Sequence, residues 1–445
     1  MSNYLGIDFG TTNSLAGIIK SGKLDLIRLE HDGFLMPTAL FIEYPENFED
    51  FDSESSSFFS LLDSQNCIKY FGIQAVNKYK NEPLSGYFIR SIKSFLAAKI
   101  APIHQELFVK VIKLILSEIK NIAERQHGVT YKGVVLGHPV NYMGSNSDDA
   151  NQQALRIMRR AANLSGFDDV RFVIEPLAAS LVSREIYASQ SPALVIDIGG
   201  GTTDVVLIGR NDEDIERLKI LGTSGERIGG SDFDEKIAIN KIGPLIGYGA
   251  TLSNGKRLPN HIVLDALSTR DIHKQKKFRE SHRDIVNFIQ NASDQVLAVR
   301  FNQIFKKQLQ HQLIGTAESC KLDLSDQVNT SKSINLSLYS FEINITKDEL
   351  DEICQLELKQ IKKIIFNAFN DYDQKNPFRI FLTGGMSNSP SVINLVREII
   401  PGQTINQLPP FESIVAGLAL VSRELTLSEE TYAESFNVRG IPVTR

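Results

Sequence analysis

Apolar positions in this chain alternate between short continuous runs and longer stretches that repeat at helical spacing. The run from Tyr4 ends at Asp8, passes through a Gly/Thr turn and resumes from Ser14 to Ile19, which predicts two strands joined tightly. Gln105 to Arg125 has helical periodicity, Gly133 to Leu136 predicts a buried strand, Ala150 to Leu164 a helix and Arg171 to Ile174 a strand. Pro176 then opens a further helix, a position where its missing N–H is not needed. Phe378 to Leu382 reads as a strand and Ser391 to Ile399 as a helix, while Asp265 to Ser325 is charged and helical in period, as an inserted subdomain would be. Glu46 to Gln65 is acidic and serine-rich and reads as a surface loop. Strands alternating with helices define an α/β fold class.

One internal repeat stands out. The segment from Tyr4 to Asn13 is echoed by Leu194 to Asp204, each an apolar strand ending in Asp, then a Gly/Thr turn, then a second apolar strand. Recurrence about half a chain apart predicts two lobes of similar construction.

Composition narrows the class. The 445 residues are 42% hydrophobic and 23% charged, enough for buried cores in two to four compact units at about 150 residues each. A formal net charge of −5 provides no global basic field, so neither nucleic acid nor an anionic membrane is expected as a partner. Cys67, Cys320 and Cys354 are far apart and match no metal-ligand spacing. The N-terminus has no basic n-region, and no apolar run approaches the ~18 residues of a membrane span. A cytoplasmic monomer is expected.

The candidate chemistry lies in the repeated turns. Gly10, Thr11, Thr12 and Asn13 offer clustered N–H groups and hydroxyls, the donors a polyphosphate needs. Asp8 cannot face phosphate bare, and makes sense if Mg²⁺ and its waters sit between them. In the second copy, Asp197 precedes Gly199, Gly200, Gly201 and Thr202, and consecutive glycines are entropically costly unless something approaches the backbone closely. Neither turn is a P-loop or a dinucleotide turn. Two facing loops, each with a carboxylate, form a clamp for one nucleotide–metal unit.

Three further segments join this pattern. Gly384 and Gly385 form a third strand-to-glycine turn, a candidate for the nucleoside side. Gly229 and Gly230 precede a helix for which Ser231 or Asp232 is a candidate N-cap. Glu175 beside Pro176 either complements a helix dipole or serves as a cleft carboxylate that orients water. On composition alone Lys93 is a surface lysine.

In this order, the segments Gly6–Ser14, Lys93–Leu96, Gly137–Asn141, Glu175–Ala179, Asp197–Asp204, Gly229–Asp234, Glu318–Ser325, Leu382–Pro390 and Glu412–Gly417 resemble the ATPase domain of the heat-shock protein 70 family. Ile89–Leu96, Gly137–Gly144 and Gly222–Asp234 look most like short bacterial chaperone-like members of the YegD type. The resemblance implies an actin-like ATPase fold of two lobes with duplicated ribonuclease-H-like topology. Lobe I would span residues 1–191 and lobe II 192–409, with a helical insertion at about 235–345. Residues 410–445 would supply a helix returning to lobe I and a short tail, with no peptide-binding domain.

By the same resemblance, Asp8 and Asp197 hold Mg²⁺ through water, and Thr11, Thr12 and Thr202 contact phosphates. Lys93 lies near the γ-phosphate, Glu175 and Asp204 position water, and Glu318, Lys321 and Ser325 contact ribose and adenine. Their spacing places the last three along one helical face. The family commonly has Arg where this chain has Asn388, and Asp where it has Phe411, so the adenine pocket is altered.

The function expected is that of a chaperone-like protein that binds ATP or ADP with Mg²⁺, hydrolyses ATP slowly, and acts with a co-chaperone or client. An actin-like filament, a small-molecule kinase and a nucleotide sensor without hydrolysis are the alternatives.

Overall fold

The structure is a computed structural model that describes residues 3–45, 61–99, 101–142, 148–183, 191–210, 218–269, 272–336, 339–370, 372, 378–427, 435–438 and 441–444. Most of the expected Glu46–Gln65 loop lies outside the described residues.

The first half supplies β1 (Asn3–Phe9), β2 (Asn13–Lys20), β3 (Lys23–Leu26), β4 (Met36–Pro37), β5 (Ala39–Glu43), β6 (Lys69–Phe71), α1 (Gly72–Asn81) and β7 (Gly86–Arg90). It continues with α2 (Pro102–His127), β8 (Tyr131–His138), α3 (Asp148–Leu164), β9 (Asp169–Ile174) and the short α4 (Glu175–Ser180). Pro102 starts α2 and Gly128 stops it in a left-handed conformation at φ 66°, the usual asymmetry of helix ends.

The second half runs through β10 (Ala193–Ile198), β11 (Thr203–Arg210), β12 (Leu218–Glu226) and α5 (Gly230–Ile237). Then come α6 (Asn260–Ala266), α7 (Ile272–Glu280), α8 (His282–Asn291), α9 (Gln295–Lys307) and α10 (Gln310–Asp323). A hairpin of β13 (Asn329–Asn335) and β14 (Ser340–Thr346) leads to α11 (Lys347–Ile353), α12 (Gln355–Phe369), β15 (Arg379–Thr383), α13 (Pro390–Ile399) and β16 (Ile405–Gln407). The chain closes with α14 (Glu412–Leu427), β17 (Ser435–Val438) and β18 (Ile441–Thr444).

The two main sheets share one topology. In the first, β3-β2-β1-β8-β9 are neighbours in that order; in the second, β12-β11-β10-β15-β16 are. In each, the first strands form an antiparallel meander and the last two run parallel to the central one. The central strands β1 and β10 are almost wholly buried, as strands covered on both faces must be. The terminal hairpin β17–β18 extends the first sheet through a Thr444–Phe172 pair.

The lobes are locked by two helices that lie between the sheets. The α14 helix packs on β1, β2 and β8, while α4 touches β10 and β11 of the other sheet. A single apolar cluster therefore contains Val135 and Val173 of one sheet, Val195, Val206 and Phe381 of the other, and Leu177, Ile414 and Leu418 from the helices. The contact is tight: a Cβ on Gly417 would fall 1.9 Å from the Ala178 carbonyl oxygen, and one on Gly6 2.7 Å from the Ala419 nitrogen.

Two insertions rise beside the cleft. A three-stranded sheet of β5, β6 and β7 with α1 belongs to the first lobe and was not evident in the hydropathy pattern. The expected helical unit is present as α6 to α10, with the β13–β14 hairpin attached. Among the described residues no helix is long and apolar enough to cross a membrane.

Candidate functional site

The paired sheets bring their hairpin turns face to face. Asp8 leaves β1 opposite Leu15, and Asp197 leaves β10 directly opposite Asp204. Gly10 sits so tightly that a Cβ would lie 2.2 Å from the Asn13 carbonyl oxygen, and Gly199 N–H donates to Thr202 O at 2.9 Å. Each turn is thus held by its own backbone, with Asn13 Nδ2 3.3 Å from Thr12 Oγ1. A Cβ on Gly201 would come within 2.7 Å of Thr11 Oγ1, and one on Gly200 within 2.6 Å of Thr12 Cγ2. The loops therefore approach to contact, and glycine is what permits it.

Charge gathers in the same place. Lys93, on a short 3-10 turn after Ser91 (φ 59°), puts Nζ 2.5 Å from Oε1 of Glu175, the first residue of α4. Lys93 is only 5% exposed, so the reading of a surface lysine is corrected. Burial and the Glu175 charge push the Asp8 carboxyl up to about 7, with Lys93 pulling the other way. Burial, then Glu175, Asp204 and Asp8, hold Asp197 well above the usual carboxylate range. Burial and Glu175 also bring Asp204 to about 7, against bonds from Thr202 and from the Val140 N–H at 2.5 Å. Nearby, burial lowers His138 to about 4.

Four carboxylates thus surround one ammonium, and two of their oxygens, Asp197 Oδ1 and Asp204 Oδ2, are buried without a hydrogen-bond partner. Such atoms are costly unless something else meets them. A hydrated Mg²⁺ fits that need. Asp8 and Asp197 are the carboxylates that would hold it, through its waters.

The remaining elements wrap one side of this centre. Gly230 N–H donates to Gly199 O at 2.9 Å and Ser231 N–H to Gly200 O at 2.8 Å, docking the start of α5 on the second loop. Neither Ser231 nor Asp232 is the N-cap: Gly229 is, and Asp232 Oδ2 reaches back to its N–H at 2.8 Å. Lys321 Nζ meets Asp234 Oδ1 at 2.7 Å and donates to Gly230 O at 3.0 Å. Glu318 faces the other lobe, 3.4 Å from Arg90 Nη2. Ser325 does not share their helical face, because α10 ends at Asp323 and Ser325 lies in the following turn. Gly384, at φ 85°, would place a Cβ 2.3 Å from Asp197 Oδ1, so the third loop packs directly against that carboxylate. Gly385 and Asn388 are exposed beside it.

A second bridge between lobes was not legible in the sequence. Tyr79 of α1 stacks on Phe88 of β7 with ring centroids 4.7 Å apart, and both rings meet His311 of α10 edge-on. The Tyr79 hydroxyl donates to the Gln308 carbonyl and accepts from the His311 N–H at 3.3 Å. Burial, then the charges of Arg90 and Arg279, hold His311 well below its ordinary pKa. No local signal pairs residues 232 positions apart.

Two sheets of one topology, interlocked by exchanged helices and closing on paired Asp-Gly-Thr turns, define an actin-like ATPase fold. Within that class the chain belongs to the Hsp70 family: the family described as Hsp70 protein matches residues 101–242 and 283–432. It is similar to a chaperone protein dnaK of Guillardia theta, 23% identical over 94% of this chain and 59% of the relative. A heat shock 70 kDa protein 2 of Paracoccidioides lutzii is 23% identical over 98% of this chain and 59% of its own length. A chaperone protein HscA homolog of Haemophilus influenzae is 23% identical over 99% and 60%. The chain thus spans about 60% of the length of these curated relatives.

Proposed function

We propose that this chain binds ATP with Mg²⁺ in the cleft between its lobes and hydrolyses it slowly, its opening and closing being read by a separate co-chaperone or client protein. Residues 1–191 with the helix in 410–445 are assigned to one lobe and 192–409 to the other, with the insertion at about 235–345. The observation that carries the reading is the meeting of Asp8 and Asp197 from opposite sheets around the buried Lys93–Glu175 pair, with glycine loops pressed together beside them.

In this reading the N–H groups of Gly10 to Asn13 and Gly200 to Thr202, the latter turn held by the Gly199 N–H bond to Thr202 O, cradle the phosphates with the hydroxyls of Thr11, Thr12 and Thr202. Asp8 and Asp197 hold the hydrated metal, which when bound supplies positive charge to the phosphate oxygens. Lys93 adds a fixed cation on the terminal phosphate, and Glu175 with Asp204 orients the attacking water and receives its proton at a carboxylate oxygen. Glu318, Lys321, Ser325, Gly229, Gly230, Gly384, Gly385 and Asn388 border the nucleoside. Phosphoryl transfer needs little covalent help, so positioning and charge supply most of the catalysis.

A thermal-shift series with ATP, ADP and GTP, with and without Mg²⁺, tests this directly. A ligand at a hundredfold excess over Kd adds about 2.7 kcal/mol of apparent stability. Mg-dependent stabilisation by ATP and ADP, followed by slow phosphate release from ATP, is expected. Indifference to every nucleotide would remove the proposal.

A further inference from the structure

Tyr142 is 4% exposed, and its hydroxyl has no hydrogen-bond partner among the described residues. A buried hydroxyl in that state forfeits the bonds it would make to water, so it calls for an explanation. The ring explains its own burial, since it belongs to the apolar cluster of the first sheet that holds Ile7, Leu136 and Ala154. A phenylalanine would fill that place as well. The oxygen is what needs a reason.

The backbone around it is pinned to both sheets. The Tyr142 N–H donates to Asn151 Oδ1 at 2.9 Å, and Asn151 Nδ2 donates to Asn141 Oδ1 at 2.9 Å. Asn141 Nδ2 in turn donates to Gly225 O of β12 at 3.1 Å, and the Val140 N–H to Asp204 Oδ1 at 2.5 Å. The segment after β8 thus holds Tyr142 and Asp204, which come from opposite sheets, in one fixed arrangement.

The hydroxyl faces the charges of the proposed reaction. Burial raises the Tyr142 pKa above its ordinary value against the pull of Lys93, and Glu175 and Asp204 add to the rise. The group therefore keeps its proton and is a donor. Asp204 Oδ2 is also buried without a partner among the described residues, while its Oδ1 is taken by Val140. Asp204 too faces Glu175 and Lys93. A donor and an acceptor beside the same ion pair, each unsatisfied and not bonded to the other, frame a site for one water.

We propose that the Tyr142 hydroxyl is a further water-positioning group, donating to the water that Asp204 and Glu175 orient for attack. The proposal rests on the hydrolysis reading above and adds the group that fixes the direction of the nucleophile. A water oxygen carries two hydrogens and two lone pairs. With the hydrogens given to Asp204 and Glu175 and one lone pair accepting from Tyr142, a single lone pair is left for phosphorus. That pair forms the new P–O bond as the bond to the leaving diphosphate oxygen breaks, and one carboxylate takes the proton. Tyr142 stays protonated throughout and acts by orientation alone.

The test is Tyr142→Phe, which keeps the ring in its apolar cluster and removes only the oxygen. Single-turnover phosphate release from ATP with Mg²⁺ is expected to fall about tenfold, the loss of one hydrogen bond to the reacting water. ATP affinity should stay within twofold, and the urea midpoint should not drop, because the oxygen bonds to no protein group described. A double-mutant cycle with Asp204→Asn adds a readout that a packing role would not move. If both groups hold one water, Tyr142→Phe slows the Asp204→Asn protein by about threefold or less.

Phosphate release within twofold of wild type, in a Tyr142→Phe protein that binds ATP, overturns the proposal and leaves binding and hydrolysis standing. Full additivity in the cycle overturns it equally. So does a loss of ATP affinity as large as the loss of rate, which would make Tyr142 a binding or structural residue. Wild-type protein that binds ATP and releases no phosphate removes both this inference and the hydrolysis beneath it.

Discussion

Lys93 and Glu175 form an ion pair of 2.5 Å although both side chains are more than nine-tenths buried. Burial works against the charge on Lys93, but Glu175, Tyr142 and Asp8 outweigh it and raise its pKa above the ordinary lysine value. The ammonium is thus fixed and charged before any ligand arrives. A buried pair of this kind is weak evidence for stability, since its desolvation cost rivals its attraction. Its position among Asp8, Asp197 and Asp204 points to charge placement for chemistry instead.

Removing one partner separates these roles. Lys93→Met should destabilise the protein by about 3–5 kcal/mol, because Glu175 is left buried and unpaired. Combining it with Glu175→Gln should recover much of that loss while phosphate release stays about 100-fold or more below wild type. Urea unfolding and single-turnover hydrolysis measure the two effects. Unchanged hydrolysis in either variant would remove Lys93 from the catalytic assignment.

Asp197 should show the opposite signs for stability and ligand response. Its Oδ1 is buried without a partner, beside Gly384, and other carboxylates crowd it. Asp197→Asn is expected to stabilise the nucleotide-free protein by about 1–3 kcal/mol, the range set by an unsatisfied buried group. The same change should abolish the extra stabilisation that Mg²⁺ adds to ATP. A variant that keeps the full Mg²⁺ increment would show that this carboxylate does not face the metal.

The facing loops can be tested with one methyl group. A Cβ on Gly201 would sit 2.7 Å from Thr11 Oγ1 and 3.0 Å from Ser94 Oγ, so Gly201→Ala must push the lobes or their loops apart. Gly33→Ala, with nothing within 4 Å, is the control. Nucleotide affinity should fall about tenfold or more in the first variant and stay unchanged in the second, read by titration calorimetry. Equal affinities would mean that the loops need not touch in the bound state.

The clasp of Tyr79, Phe88 and His311 should set how fast nucleotide leaves. Tyr79→Ala removes a ring stack and two hydrogen bonds to the opposite lobe, a loss of about 1–3 kcal/mol. Stopped-flow release of a fluorescent nucleotide is expected to accelerate by roughly five- to 150-fold at unchanged hydrolysis. The clasp also predicts a pH effect of defined sign. Tyr79, Phe88, Arg90 and Arg279 surround His311, whose pKa is depressed in the folded protein. The unfolded chain protonates first, so stability falls as pH drops below the unfolded histidine value of about 6.5. Relative to His311→Asn, the wild type should lose about 1.4 kcal/mol per pH unit below that point. Parallel stability curves for the two proteins would show that His311 is not held neutral.

The strand–helix alternation, the repeated Asp-Gly-Thr turns and Pro176 at a helix start were legible because each depends on residues close in sequence. Backbone conformation at Gly10 or Gly199 is settled within a few residues, so the composition of the turn announces it. Lys93 gave no such signal, since its burial depends on Glu175, 82 positions away. Ser325 fell off the predicted helical face because α10 stops two residues before it, in a cap that spacing does not reveal. The β5–β7 sheet was decided by strand pairing within the first lobe, and the Arg90–Glu318 bridge and the Tyr79–His311 clasp by docking of the two lobes. Local sequence thus determined which turns pair a carboxylate with clustered glycine and threonine, because backbone preference and turn chemistry are short-range. Only tertiary packing decided that two of those turns meet and what closes over them, because burial and ion pairing act between elements that the chain itself keeps far apart.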